Sequence, residues 1–480
     1  MSKGSTYQMV IGLEVHIQLN TKTKLFAPDS TAFGAEPNTQ TSEISLAHPG
    51  TLPILNEKAV ESAIKMGVAC NCDITRNINF DRKHYFYPDS PFGYQITQQN
   101  APICVAGNIS IPLRGEEKSI ELEKIHMEAD AGKSIHDLHD KFSMVDLNRA
   151  GMPLLELVTK PVLSSADEAS AFITEIQKIV RFLNIGDGNL EEGSLRCDVN
   201  VSLKAPDEKE LGQKVEIKNL NSVRYIKKAI EFEYIRQSNL LEAGRKVESE
   251  SRLFDIVTGK TEGMRGKEEA HDYRYFPEPD LTPYIISDNQ FNTIKETMPL
   301  LPYALRRKFR EEYKLNAQEA LVLSNDPQIS RILIDIVDEK INPATVAKWL
   351  MGPVKSHYNL ADKVEFKINS TQLAELIKLV DNNKVTYKNA IEIILPELVE
   401  NTSVITSNII AKKGLMVQSD ETQLLEIIEE VFALHPKEVK AYKSGKKALL
   451  QLFMGQVMKK TRGKADPKTT MKLIQEQLRH

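Results

Sequence analysis

From Val10 to Leu19 the chain reads Val-Ile-Gly-Leu-Glu-Val-His-Ile-Gln-Leu. With a period of two, Met9, Ile11, Leu13, Val15, Ile17 and Leu19 fall on one side, and Glu14, His16 and Gln18 on the other. That is the signature of a half-buried β-strand. Glu14 and His16 project from the same face, with Cα atoms roughly 7 Å apart. A single strand of this kind is equally a solvent-facing polar stripe. Repetition of the pattern is what constrains the fold.

Four further segments share it. In Ile120-Glu-Leu-Glu-Lys-Ile-His-Met-Glu128, the residues Leu122, Lys124, His126 and Glu128 have one parity, which places His126 and Glu128 on a common face. Glu156 sits inside Leu154-Leu155-x-Leu157-Val158, a run apolar enough for a core strand. A carboxylate buried there costs several kcal/mol unless a cation or hydrogen-bond donors compensate it. Between Leu195 and Leu203, apolar positions alternate with Arg196, Asp198, Asn200 and Ser202; in Lys214–Asn219, Glu216 and Lys218 oppose Val215 and Ile217. An antiparallel sheet with one face on a core produces such a set. The polar face of an ordinary solvated sheet is mostly Thr, Ser, Lys and Gln. Here Glu14, Glu128, Glu156, Asp198, Glu216 and His16 have the character of Mg²⁺ ligands, hard oxygens plus an imidazole. Arg196 and Lys218 suit phosphate. No Walker loop or dinucleotide fingerprint accompanies them, so nucleotide chemistry would need a sheet platform with metals on the phosphates.

At 480 residues the chain is long enough for two to four domains. It opens Met-Ser-Lys-Gly-Ser-Thr, without an apolar leader, and no run approaches 18 apolar residues. Neither secretion nor membrane spanning is expected. Cys70, Cys72, Cys104 and Cys197 form no Cys-x-x-Cys pair, and reduced thiols in the cytoplasm fit best. Cys70 and Cys72 as half a metal site is the alternative to buried small residues. Charge is unevenly spread. From Lys437 onward the net charge is +9, against −13 for the rest. A basic tail on an acidic body points to a polyanionic partner, although solvated helix faces also collect lysine.

Residues 1 to about 293 read as β-rich, with helical patterns over 165–182 and 223–242. Phe80–Asp89 and His271–Asp280 read as loops dense in aromatics and proline. After Pro299 the pattern is one of short helices separated by caps and prolines, with a second boundary near 400–415 and a helical last segment.

Several of these segments together resemble one family. Asp146-Leu-Asn-Arg-Ala-Gly-Met-Pro-Leu-Leu-Glu156 is similar to the signature of the B subunits of glutamyl/aspartyl-tRNA amidotransferases, the GatB family. Ile11–His16, Phe80–Pro88, His126–Lys133, Glu191–Asp198, Lys218–Ser222, Asp272–Pro279 and the tail motifs Gly445–Leu449 and Gly455–Lys459 resemble it in the same order. The resemblance spans essentially the whole chain. It implies an α+β fold: a catalytic core related to glutamine synthetase over 1–293, an all-α domain over 294–405, and a small YqeY-like, tRNA-binding tail over 406–480. It implies that ATP phosphorylates the side-chain carboxylate of Glu on tRNA(Gln) or Asp on tRNA(Asn), after which ammonia displaces the phosphate. Implied partners are an amidase subunit, a small third subunit that completes a heterotrimer, and misacylated tRNA.

By the same resemblance, His16, Glu128 and Glu156 align with the Mg²⁺ ligands, and Lys83 and Tyr85 lie near the ammonia route. Glu14, Asp198 and Glu216 are candidates for a second metal. Arg196, Lys218 and Arg274 are candidate phosphate contacts on charge grounds. Two departures stand out. Ser42 and Ser45 occupy positions before Pro49-Gly50 where some members carry Cys-x-x-Cys, so zinc is not expected. Ala129 stands where relatives often have a second Glu. Two rival readings remain open on sequence grounds: a small-molecule carboxylate–amine ligase, and a tRNA-binding assembly protein without chemistry.

Overall fold

In a computed structural model, residues 7–136, 138–139, 141–264, 272–360, 368–417, 421–461 and 465–479 are described. His271 of the second aromatic loop lies outside them, as do residues 462–464 and 480 of the basic tail. The chain forms two compact units, Met1–Leu305 and Arg306–His480.

The first unit is built on a ten-stranded sheet. Its centre comprises β1 (Gln8–Gln18), β2 (Glu116–Ala129), β3 (Pro153–Thr159), β4 (Leu195–Lys204) and β5 (Val215–Lys218). These are the five strands with the charged alternating pattern, and they lie side by side in the order β5-β4-β1-β3-β2, each pair antiparallel. The sheet is not antiparallel throughout. β5 pairs in parallel with Glu250–Asp255, because a helix crosses over between them.

The apolar face carries Ile11, Leu13, Val15 and Ile17 of β1, Leu155 and Leu157 of β3 and Val199 and Val201 of β4, all at most 1% exposed. Burial of each such side chain is worth about 1.5–3 kcal/mol. Three helices supply the other half of this core: α1 (Glu57–Ala69), α2 (Ala166–Phe182) and α3 (Val223–Glu242). Each starts at a side-chain cap. Asn56 accepts from the amides of Lys58 and Ala59, Ser165 from Glu168, and Ser222 from Tyr225.

β2 corrects the parity expected for it. Val158 pairs with Lys124 but Thr159 with Leu122, so Glu123 is an extra residue, a β-bulge. The bulge moves Leu122 to the core face while His126 and Glu128 stay on the opposite one. The aromatic segment expected as a loop over 80–89 contains a strand, Asp81–His84, which pairs with Tyr94–Thr97 and with Phe276–Pro277 of the second aromatic loop. All four cysteines are free thiols.

The second unit is helical. The described residues include two single-turn π segments, Leu350–Val354 and Ala390–Ile394, and a helix, Thr406–Lys413, inside the expected boundary. Residues from Leu424 to Leu478 enclose an apolar core of their own around Phe453 and Ile474.

Candidate active site

The register of the central sheet lines up four charged side chains in one row. Arg196 lies opposite His16, His16 opposite Glu156, and Glu156 opposite His126. All four project from the face away from the helices. Glu128, two residues beyond His126, completes the group. His16 Nε2 is 3.5 Å from Glu128 Oε1 and 3.4 Å from Glu156 Oε2. His126 Nε2 is 3.6 Å from Glu128 Oε2 and 3.4 Å from Glu156 Oε2. The carboxylate that the apolar run of β3 could not leave uncompensated therefore has two imidazoles across from it.

Burial opposes charge on both histidines, but the carboxylates outweigh it. Desolvation would lower His16, and the Glu156 hydrogen bond with the Glu128 and Glu156 charges raises it. The same balance pushes His126 up to about 9. Glu156 is held far below the usual carboxylate range, because its bonds to His126 and His16 overcome its own burial.

This cluster forms one wall of a cavity of about 460 Å³. Lys83, Tyr85, Arg196, Lys218 and Tyr273 line it beside His16, Glu128 and Glu156, and Phe26, Phe92 and Ile96 make an apolar side. Lys83 comes from the Asp81–His84 strand and lies 4.8 Å above the Tyr273 ring. Burial would lower its pKa; the Glu128 charge leads the effects that raise it. Gln95, paired with Lys83, donates to the Ala129 carbonyl at 2.9 Å and ties this ribbon to the end of β2. Tyr85 stacks on Tyr87 at 5.6 Å. At the cavity's edge Gly151 takes φ +84°, and a side chain there would press on the stem of Lys24 at 3.4 Å.

Arg196 is anchored by Asp130, at 2.9 Å, which also faces Arg149 Nε at 3.4 Å. Lys218 lies between Asp198, at 3.4 Å, and Glu216, at 3.2 Å. Both carboxylates raise it, against desolvation.

Other expected residues are distributed differently. Among the described residues the only His/Cys/Asp/Glu set gathered to metal size is His16, Glu128 and Glu156, whose ligand atoms lie within 4.8 Å of one another. Glu14, Asp198 and Glu216 are not gathered in this way. Glu14 accepts from Asn200 at 2.9 Å, and the other two face Lys218. Arg274 does not join the cavity: its side chain is 82% exposed and pairs with Asp272, while neighbouring Tyr273 turns inward. Two residues of the site have no role legible in the sequence. His126 is signalled only by its i, i+2 relation to Glu128; Asp130 carries no signal beyond lying in the same motif.

Comparison with known proteins decides the family. A model of the GatB/GatE catalytic domain matches residues 9–292, and a GatB domain model matches 332–478. The chain belongs to the GatB family. It is similar to the B subunit of the aspartyl/glutamyl-tRNA(Asn/Gln) amidotransferase of Thermodesulfovibrio yellowstonii, 44% identical over 98% of each chain. The protein of the same name from Oleidesulfovibrio alaskensis is 45% identical over 98% of this chain and 99% of the relative. That of Persephonella marina is 42% identical over 98% and 100%. The GatB catalytic domain match encloses the whole cavity. No described helix is long and apolar enough to cross a membrane.

Proposed function

We propose that this chain is the component of a tRNA-dependent amidotransferase that converts misacylated Glu-tRNA(Gln), Asp-tRNA(Asn) or both into the amide. The observation that carries the reading is the His16–Glu128–Glu156 cluster set among cations in the cavity of a GatB catalytic domain. A carboxylate resists ammonia until one oxygen becomes a leaving group, and ATP supplies the phosphoryl group that makes it one. The donor set fits a divalent cation. One imidazole and two carboxylates converge and open onto the cavity, leaving room for the waters and phosphate oxygens Mg²⁺ prefers. When bound, Mg²⁺ would offset charge on the transferring phosphoryl group.

The chain's own residues do the rest. Arg196, held by Asp130, and Lys218, held by Asp198 and Glu216, present fixed positive charge where phosphate oxygens gather. His126 orients Glu156 and Glu128 from behind. Lys83 and Tyr85 border the approach of ammonia. Glu14 would serve any second metal only after exchanging Asn200, and Asp198 and Glu216 only after releasing Lys218. The scaffold is a glutamine-synthetase-like core over 1–293, followed by a helical domain over 294–405 and a YqeY-like tail over 406–480. The tail's separate apolar core and its net positive charge support a domain that holds tRNA. An amidase subunit, which supplies ammonia from glutamine, joins a small third subunit to complete the heterotrimer in the cytoplasm.

The test is amide formation by the assembled enzyme given ATP, Mg²⁺ and ammonium. Product should form only from the misacylated tRNA and only with ATP. Amidation of free glutamate without tRNA would support a small-molecule ligase instead.

A further inference from the structure

Arg196 lies opposite His16 and lines the same cavity as Glu128 and Glu156. Among the described residues its ion pair is with neither of those carboxylates. Its Nη2 lies instead 2.9 Å from Oδ2 of Asp130. Asp130 follows Glu128 by two residues, a Cα separation of roughly 7 Å in extended chain. A guanidinium that reaches Asp130 is therefore a few torsions away from Glu128.

Asp130 is itself firmly placed. Its side chain is 6% exposed, and its Oδ1 accepts from the Ala131 amide at 2.9 Å. Its backbone donates to the Met152 carbonyl at 2.9 Å and accepts from Gly151 N at 2.8 Å. Arg149 faces Oδ2 at 3.4 Å, and is fixed in turn by the carbonyls of Ala131, at 3.1 Å, and Gly132, at 2.8 Å. One carboxylate thus serves two guanidiniums, which leaves Arg196 incompletely neutralised and able to face a phosphate oxygen.

We propose that Asp130 is a positioning residue that tethers Arg196 away from Glu128 and Glu156, and so keeps both carboxylates open to a divalent cation. The inference rests on the reading of His16, Glu128 and Glu156 as a metal site and deepens it. Guanidinium matches carboxylate geometry and binds it with charge-assisted hydrogen bonds. An untethered Arg196 in this cavity would close on Glu128 or Glu156 and compete with the cation for them.

The experiment measures Mn²⁺ binding to the assembled enzyme by electron paramagnetic resonance, without ATP or tRNA. His16→Ala identifies the signal that belongs to this site. Asp130→Asn should weaken that binding about 10- to 100-fold, the range for a residue that supports metal ligands. Arg196→Gln should recover most of the loss in the Asp130→Asn background, and change affinity far less on its own. Two independent charges acting through space would instead give Arg196→Gln the same factor in both backgrounds, within about twofold. That equality overturns the proposal and leaves the metal site standing. So does a double variant that stays as weak as Asp130→Asn, because Asp130 then supports the local fold rather than the placing of Arg196. If wild type and His16→Ala bind Mn²⁺ alike, the metal assignment itself falls, and the tether with it.

Discussion

Replacing Glu156 by Gln removes one charge and almost no volume. Its effect can be worked from the two histidines at 3.4 Å. His126 is pushed up to about 9 in the folded protein. A group whose folded pKa is raised contributes stability fully below its unfolded value, and loses it as pH rises through the folded value. Against an unfolded histidine, a shift of this size is worth about 2–3 kcal/mol at pH 7. Glu128 remains to share the imidazole, so Glu156→Gln should cost about 1–2 kcal/mol of it. For a unit of this size that is a fall of a few degrees in Tm, and the fold survives. Function should suffer far more. Losing one of two anionic ligands should weaken divalent-ion binding beyond the ~10–100-fold typical of losing a supporting residue. In the assembled enzyme, tRNA-dependent ATP cleavage should fall by orders of magnitude while glutaminase activity persists. Free ammonium should not rescue amide formation, because the missing step precedes ammonia attack. Recovery of amide formation with ammonium would overturn a role in phosphorylation and move Glu156 to the ammonia path.

The isolated chain should hydrolyse glutamine no faster than buffer; Cys70, Cys104 and Cys197 are buried, burial pushes each thiol up, and robust glutaminase activity would contradict the proposed division of labour. Cutting the chain at Lys437 would strip Leu424, Ile428 and Val431 of their core partners, so the tail is better tested by charge. Lys440, Lys443, Lys446 and Lys447 changed together to Gln should weaken tRNA binding and flatten its salt dependence, and an unchanged slope would make them a solvated face. Glu233, fully buried, accepts from Arg236 at 2.6 Å and from Gln237 and Thr261 at 3.0 Å, and these bonds lower its pKa against desolvation. A depressed carboxylate adds stability above its unfolded value and loses it as pH falls through the folded one. Glu233→Gln should therefore cost about 2–4 kcal/mol in urea melts at pH 7 and less near pH 3; an equal gap at both would refute the linkage.

The sheet was legible because alternation survives burial of one face. All five central strands announce themselves, and the oddity of Glu156 in an apolar run calls for a compensating partner, although not for the two histidines that face it. Their lateral order is a matter of pairing, which no single strand encodes. The bulge at Glu123 was hidden for the same reason: it exists only relative to β3, and without it parity assigns Leu122 to the wrong face. Asp81–His84 carries Arg, Lys and His, with Asp81 its one buried residue, so no alternation marks it as a strand. At the site, residue types were legible and partners were not. Lys218 between Asp198 and Glu216, and Arg274 facing solvent, are outcomes of three-dimensional neighbourhood.

Phosphorylation of the tRNA-bound carboxylate in the cavity holding His16, Glu128 and Glu156 is tested most directly with Glu-tRNA(Gln) carrying ¹⁸O in its side-chain carboxylate, amidated by the assembled enzyme in ordinary water. Phosphorylation followed by displacement by ammonia transfers one labelled oxygen to each phosphate released, and mass spectrometry of that phosphate reads it. Wild type should release one ¹⁸O per phosphate, and Glu156→Gln no labelled phosphate. Unlabelled phosphate released in step with amide would contradict it.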